Sequence, residues 1–444
     1  MKKLFRTTVL AWLKLFAKLK LQATKPEIIG LTGSAGKTSL MYATKAVLSS
    51  QYRVNYTAKA NSESGIPLHI LGLQMTNYSV FDWLRVCFLA PIQWLFYNKP
   101  AQKYIMELGI DKPGDMAYLL TIVQPRVAAV LNIGSVHAEA FSHTKDPIKA
   151  IAEEKSVLVQ AIPQNGCVIL NYDDPLVRAM AEKTTARTIF CSLLSHPDHL
   201  LSSQQGWLWA DSISTTEKGF SLTIHWQERS YPITLEGIAV GKQFAYTILE
   251  AFGIAISQHV PLHQAASALK KFHLPPGRAS IIPGIKDTTI LDSSYNASKE
   301  AVISMLEVLE SFPQKEKIAI LGDMRELGTL AEKEHRAIAR KAVNVANTII
   351  TVGPMMRDYF VDEAQSLDFD PTHLHYFINP YEAARFVKDK VLKGGEVILV
   401  KGSQNTIYLE IIVKAIMQHP ELAGKLLCRQ EAMWERKRGK MEIL

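Results

Sequence analysis

The stretch "EIIGLTGSAGKTSL" (27–40) decides how the chain is read. Its apolar start, "EIIGLT", is a strand pattern. "GSAGKTS" follows, and helical spacing of apolar residues takes over within 36–50. A strand, a glycine-rich turn and a helix make the setting of a phosphate cradle. Glycines let the backbone amides turn inward, and the helix N-terminus adds positive potential. The candidate nucleotide loop is therefore Gly33, Ser34, Ala35, Gly36, Lys37, Thr38 and Ser39. In such a loop the lysine reaches the terminal phosphates and the following hydroxyl ligates Mg²⁺. The general pattern G-x-x-x-x-G-K-[ST] requires glycine at position 31, where this chain has Leu31. The plainer alternative is a strand–turn–helix connection with an incidental Gly-Lys-Thr. Nucleotide binding alone leaves kinase, GTPase, motor and ligase open.

Working outward, short apolar runs recur: "KYIMEL" (103–108), "RVAAVLNI" (126–133) and "GCVILN" (166–171). Helical patterns at 113–123 and 146–161 lie between them. Strands alternating with helices predict an α/β fold with a mostly parallel sheet. From 206 to 236 the apolar–polar alternation between turn signals predicts a small antiparallel patch. "HLPPGR" (273–278) reads as a hinge. Beyond it the alternation restarts, with strands at 288–293, 317–322, 347–353 and 396–402. Helices are expected at 298–310, 330–345, 380–392 and 403–418. The expected domains are a basic amphipathic segment (1–24), a central domain (25–275) and a C-terminal domain (276–444). The basic tail at 429–440 reads as a solvated helix end.

The 444 residues are 48% hydrophobic and 21% charged, which excludes a disordered chain. A net charge of +8 suits anionic ligands such as nucleotides, and also acidic membrane surfaces. The four cysteines form no C-x-x-C pair and are expected as buried thiols in a reducing cytoplasm. "MKKLFRTTVLAWLKLFAKLK" (1–20) has lysines through its apolar run and no small-residue cleavage site. It reads neither as a bilayer span nor as a signal peptide. It either lies on an anionic membrane or packs its apolar face on the body of the protein. "FDWLRVCFLAPIQWLFY" (81–97) contains Asp82, Arg85 and Pro91, which argues against a span. A buried or interfacial helical hairpin is expected there.

Five further stretches decide among the nucleotide users. They are "MELGIDKPGDMAYL" (106–119), "LNIGSVHAEAF" (131–141) and "AIAEEKSVLVQAIPQNGCVILNYDDP" (150–175), then "LDSSYNASKEAVISML" (291–306) and "AILGDMRELG" (319–328). With a T-G-x-x-G-K-T loop, in this order, they resemble the Mur ligase family over roughly residues 27 to 410. Those are ATP-dependent, amide-forming ligases of peptidoglycan precursor synthesis and their relatives. "DSSYNAS" and "GDMRELG" look most like the members that add D-alanyl-D-alanine to UDP-N-acetylmuramoyl tripeptide.

The resemblance implies a P-loop central domain and a Rossmann-like C-terminal domain. It implies ATP, two Mg²⁺ ions and a CO₂-derived carbamate on Lys155. Lys37 and Thr38 match the loop lysine and the Mg²⁺-binding hydroxyl. Glu107 matches a magnesium ligand, and His137 a ligand of the second metal. Arg278 matches an arginine that reaches the ATP phosphates across the hinge. Asp292 matches the residue that holds the ribose, with Tyr295 and Asn296 beside it. The residue types suit the chemistry. A lysine near magnesium repels it, whereas a carbamate offers hard oxygen donors. Taken singly, each has a plainer reading: strand-end carboxylate, loop histidine, surface lysine, linker salt bridge, helix cap or turn residue.

The resemblance also has departures. The peptidoglycan members carry a UDP-binding domain ahead of the loop, where this chain has only a short segment. "GKQFAYT" (241–247) puts Gln243 and Phe244 where the family often has His-Asn, so adenine contacts are expected to differ. Lys299 stands where a proline is usual. The early loop is also similar to folylpolyglutamate synthase, which leaves that ligase open, as well as a nucleotide-binding scaffold without ligase activity. "VKGSQN" (400–405) is a candidate site for the carboxylate of the amino substrate, at the start of a helix. The remaining expectations are small-molecule substrates, no nucleic-acid partner, a cytoplasmic monomer, and membrane contact through residues 1–20 on the first of the two readings above.

Overall fold

The computed structural model describes residues 2–57, 61–75, 79–96, 101–134, 138–197, 202–314, 316–325, 327–403 and 406–439. The chain divides into two compact units. One comprises Met1–Ser212, Thr223–Ile233 and Ala245–Phe272. The other comprises Ile213–Leu222, Thr234–Phe244 and His273–Leu444.

The first half of the chain runs α1 (Lys2–Thr24), β1 (Glu27–Thr32), α2 (Lys37–Leu48), β2 (Val54–Tyr56), α3 (Gly65–Leu71), α4 (Val80–Leu95) and β3 (Lys103–Glu107). It continues through α5 (Asp115–Leu120), β4 (Val127–Val130), α6 (Pro147–Gln160), β5 (Cys167–Asn171) and β6 (Arg187–Ser192). Three longer strands follow: β7 (Gln205–Thr216), β8 (Gly219–Trp226) and β9 (Arg229–Glu236). Together they form a nine-stranded sheet of order β2-β3-β1-β4-β5-β6-β7-β8-β9. β1 sits centrally, parallel to both β3 and β4. It is buried throughout apart from its first residue, as expected for a strand covered on both faces. Two-residue turns join β7 to β8 and β8 to β9, which makes the predicted antiparallel patch.

The second sheet has six strands: β10 (Ser280–Pro283), β11 (Thr289–Ser293), β12 (Lys317–Gly322), β13 (Thr348–Val352), β14 (Leu374–Phe377) and β15 (Val397–Lys401). Their order is β10-β11-β15-β12-β13-β14, parallel except for β10. The α/β class follows from the alternation, as the sequence predicts.

Three expectations are corrected, and α1 takes the packing alternative of its two readings. The expected hairpin is not found among the described residues; α4 is one helix with Pro91 inside it. α1 packs its apolar side, Val9, Leu13, Phe16 and Ala17, into the main core, so that side is not available to a membrane. The helix expected from 403 begins only at Glu410. The basic tail is only partly a solvated helix end: Arg436 and Lys437 are exposed, but two of its arginines turn inward. Arg429 and Arg438 are buried, and both reach the fully buried Glu410, at 2.7 and 3.3 Å. A carboxylate that deep requires cationic partners, and the tail supplies them. Cys167, Cys191 and Cys428 are buried free thiols; Cys87 is half-buried.

Candidate functional site

The loop between β1 and α2 is built by its glycines. Gly36, the residue capping α2, has φ 84°, which a side chain would disfavour, and it offers no side-chain cap. The amides therefore depend on neighbours. Asn132, just after β4, supplies them. Its Oδ1 accepts from the amides of Ser34 (3.1 Å) and Ala35 (2.8 Å), and its Nδ2 donates to the Ala35 carbonyl. Ser34 and Gly134 add a second tie, with the Gly134 amide donating to Ser34 Oγ at 2.8 Å. Leu131 packs beneath Gly33 and Gly36.

Two ammonium groups converge on one carbonyl oxygen. Lys37 Nζ donates to Gly33 O at 2.8 Å, and Lys155 Nζ to the same atom at 3.1 Å. Lys155 reaches it because α6 presents that residue inward. Asp146 caps the helix and Pro147 starts it. Ile151, Lys155, Leu158 and Val159 then share the buried side at helical spacing. The neighbouring Glu154 accepts from the amides of Gly114 and Met116, which fixes α6 against the start of α5. Lys155 is only 2% exposed. Burial, with the Lys37 charge adding to it, lowers its pKa to about 7.

Opposite the lysines, Thr38 Oγ1 donates to Glu107 Oε2 at 3.0 Å. Glu107 ends β3, beside β1, and the parallel register pairs it with Leu31. Asn61 Nδ2 approaches its other oxygen at 3.4 Å. A hydroxyl and a buried carboxylate thus meet beside a glycine-rich loop that carries a lysine. These are hard oxygen donors of the kind magnesium takes. Among the described residues no group of three or more His, Cys, Asp or Glu gathers. His137 lies outside the described residues.

A second cluster stands at the carboxyl ends of β11 and β15. Asp292 is fully buried; Oδ1 accepts from the Ser294 amide, and Oδ2 has no partner among the described residues. Burial raises its pKa to about 6. Lys401 donates to Ser293 Oγ (3.1 Å) and to the Asn296 carbonyl (2.9 Å). Burial and the nearby Arg278 lower its pKa to about 7. The Arg278 guanidinium lies 4.3 Å from the centre of the Tyr295 ring. Gly277, at φ 76°, would place a Cβ 2.9 Å from Cys428 Sγ, so glycine is required there.

Family models now decide the lineage. The Mur ligase middle domain matches residues 31–255, and the Mur ligase glutamate ligase domain matches 277–404. The chain belongs to the Mur ligase family. As a Mur ligase it is an ATP-dependent peptide ligase. It is similar to the UDP-N-acetylmuramoyl-tripeptide–D-alanyl-D-alanine ligase of Bacillus subtilis strain 168. The two are 26% identical over 92% of this chain and 79% of the relative. The MurF ligase of Thermotoga maritima, solved with ADP, shares the fold at a TM-score of 0.73 and 23% identity, covering 91% of this chain and 83% of that one. The folylpolyglutamate synthase of the same organism gives 0.57 at 15% identity, covering 93% and 94%.

In this Mur ligase, the structure brings Gly33, Lys37, Thr38, Glu107 and Lys155 together in one unit. Arg278, Asp292, Tyr295 and the Asn296 backbone gather in the other. Two residues escaped the sequence reading, Asn132 and Asn61, and Lys401 was included only as part of "VKGSQN", without a role of its own. An asparagine directly after an apolar strand was the available signal for Asn132. Lys401, last in an apolar strand, had a similar one. Tyr246 and Thr247, in the segment where adenine contacts are expected to differ, belong to the loop's surroundings. Tyr246 donates to Asp173 at 2.7 Å, and the Thr247 hydroxyl lies near Gly36.

Proposed function

We propose that this Mur ligase joins a peptide carboxylate to an amine through an acyl phosphate. Its proposed substrates are UDP-N-acetylmuramoyl tripeptide and D-alanyl-D-alanine. The observation that carries the reading is the convergence of Lys37, Lys155, Thr38 and Glu107 around the end of β1. The name of the Bacillus subtilis relative supports the substrate pair.

The chain's residues then have definite tasks. Lys37 and the amides of the loop bind and orient the phosphates of ATP. Thr38 and Glu107 would hold magnesium, which neutralises charge on the phosphates when bound. The substrate carboxylate oxygen attacks the γ-phosphorus, and the bond to the ADP oxygen breaks. The amine nitrogen then attacks the acyl carbon, phosphate leaves, and the nitrogen gives up a proton. The protein contributes chiefly position and charge. Lys155 would carry the carbamate. A neutral amine adds to CO₂ with loss of a proton, and its burial favours the neutral form. The carbamate anion then offers oxygen where the bare lysine offers only positive charge.

One measurement tests the substrate pair. Mass spectrometry of a reaction with ATP, UDP-N-acetylmuramoyl tripeptide and D-alanyl-D-alanine should show the pentapeptide, ADP and phosphate. A second reading, a folylpolyglutamate synthase-like ligase, is favoured by the near-complete mutual coverage with that synthase. Glutamate added to a folate, with no pentapeptide, would replace the first reading by the second. ATP turnover stimulated by neither substrate set would point to a nucleotide-binding scaffold.

A further inference from the structure

α4 is apolar almost all round. Its two charged residues, Asp82 and Arg85, pair with each other at 2.7 Å in its first turns. Val86 and Ala90 are fully buried. α1 secures the helix at its weakest point. Pro91 has no N–H, so the Cys87 carbonyl loses its helical donor. The indole Nε1 of Trp12 donates to that carbonyl at 3.0 Å. Phe16 packs on Trp94, ring centres 5.9 Å apart. The opposite face of α4 is therefore presented from a fixed scaffold.

That face is open. Phe81 (83% exposed), Leu84, Phe88 (73%), Ile92 and Leu95 follow at steps of three and four, the spacing of one helical stripe. On α1, Trp12 and Leu15 are exposed at a three-residue step, and the exposed Lys18 continues it. Monomeric soluble proteins rarely leave so continuous an apolar stripe uncovered. Charge indicates the occupant. α1 carries Lys2, Lys3, Arg6, Lys14, Lys18 and Lys20 and no acidic residue. Lys14 turns to Thr121, so it is not part of this surface. Beyond the C-terminal end of α4 lies a cavity of about 430 Å³, lined among others by Lys20, Arg53, His69, Gln93, Phe96 and Tyr104. The buried phenol oxygen of Tyr104 has no partner among the described residues. No helix among the described residues is long and apolar enough to cross a membrane.

We propose that the α1–α4 face docks on an anionic lipid bilayer. α4 lies in the plane of the interface with its stripe of Phe81, Leu84, Phe88, Ile92 and Leu95 among the acyl chains. α1 contributes the exposed Lys18 toward the headgroups, with Trp12 at their level, where an amphipathic indole is stable. This differs from an amphipathic N-terminus lying on the membrane by itself, because the apolar side of α1 is already in the protein core. α4 supplies the apolar surface and α1 the charge.

The test is co-sedimentation of the full chain with vesicles of phosphatidylglycerol and phosphatidylcholine, and with phosphatidylcholine alone. The chain should bind the anionic vesicles, and added salt should weaken the binding. Phe81→Glu with Phe88→Glu should cut the partition by about tenfold or more while the thermal melting point stays the same. Lys18→Glu should cut it less. Absence of binding to anionic vesicles at low salt would overturn the proposal, as would equal binding by the double variant. So would a wild-type dimer that the double variant dissolves without any vesicle binding, since the face would then belong to a second copy of the chain.

Discussion

Lys155 and Lys401 are a matched pair with unlike surroundings. Each is buried, one in each unit, and burial brings each pKa down to about 7. Lys401 is well provided with partners. It has a hydroxyl and a carbonyl as acceptors, and the carboxylate of Asp292 opposes the push of Arg278. Among the described residues Lys155 bonds one carbonyl, which it shares with Lys37, a second cation. The same desolvation thus serves two ends. At Lys401 the hydrogen bonds tie the Asn296 segment to β15, and the lysine is a fastener. At Lys155 the carboxylates of Glu154, Asp111 and Glu107 oppose the Lys37 charge only through space, and the amine keeps a single shared acceptor among the described residues, which suits the carbamate proposed there.

The widest way to separate the two is by activity. Lys155→Ala should lower ligase turnover by about 10³-fold, the size typical of a lost electrostatic contributor, while ATP still binds. Full turnover in this variant would remove the carbamate from the mechanism. The next effect is on stability, around the Lys401 cluster. Arg429 holds the carbonyls of Ser294 and Tyr295 and pairs with the fully buried Glu410. Arg429→Met should destabilise the protein by about 3–5 kcal/mol, because a buried carboxylate loses its main partner. A urea midpoint that hardly moves would count against the pair as an anchor.

A smaller effect depends on pH. The folded pKa of Lys401 lies below its ordinary value of 10.5. Between about pH 7 and 10.5 the unfolded chain therefore holds more protons, and stability rises with pH. Lys401 contributes at most about 1.4 kcal/mol per pH unit to that slope, and Lys155 adds a like share. Lys401→Met should remove its share of that rise when unfolding midpoints are compared at pH 7 and 9. An unchanged slope would mean that the lysine is not desolvated as described. The smallest effect concerns the loop. Asn132→Ala should raise KM for ATP by about fivefold, roughly 1 kcal/mol, with a lesser change in kcat. A loop that needed no clamp would leave KM where it was.

Much of this molecule is legible in one dimension. β1, the loop and α2 are contiguous, so their chemistry sits in consecutive letters. β12 is read to the residue, since a buried parallel strand is an unbroken apolar run. Short edge elements were not legible. β2 and β14 have only three and four residues, too few for a period to appear. Lys155 looks like a surface lysine beside two glutamates, and only the arc shared with Ile151 and Leu158 turns it inward. The basic tail misleads in the opposite direction, because nothing in "RQEAMWERKRGK" announces that Arg429 and Arg438 turn inward to a buried Glu410.

By itself the sequence determined the α/β class, the glycine-rich turn between β1 and α2, and the membership of the Mur ligases. Each of these is written in local order: apolar period, glycine placement and motif succession. The tertiary structure decided what distance along the chain conceals. It set Asn132 against the loop amides, Thr38 against Glu107, and Trp12 beneath the carbonyl that Pro91 leaves open. Those contacts depend on which strands neighbour one another in the sheet and which helix faces pack together. Hydrogen bonding and burial settle such matters only once the chain has closed on itself.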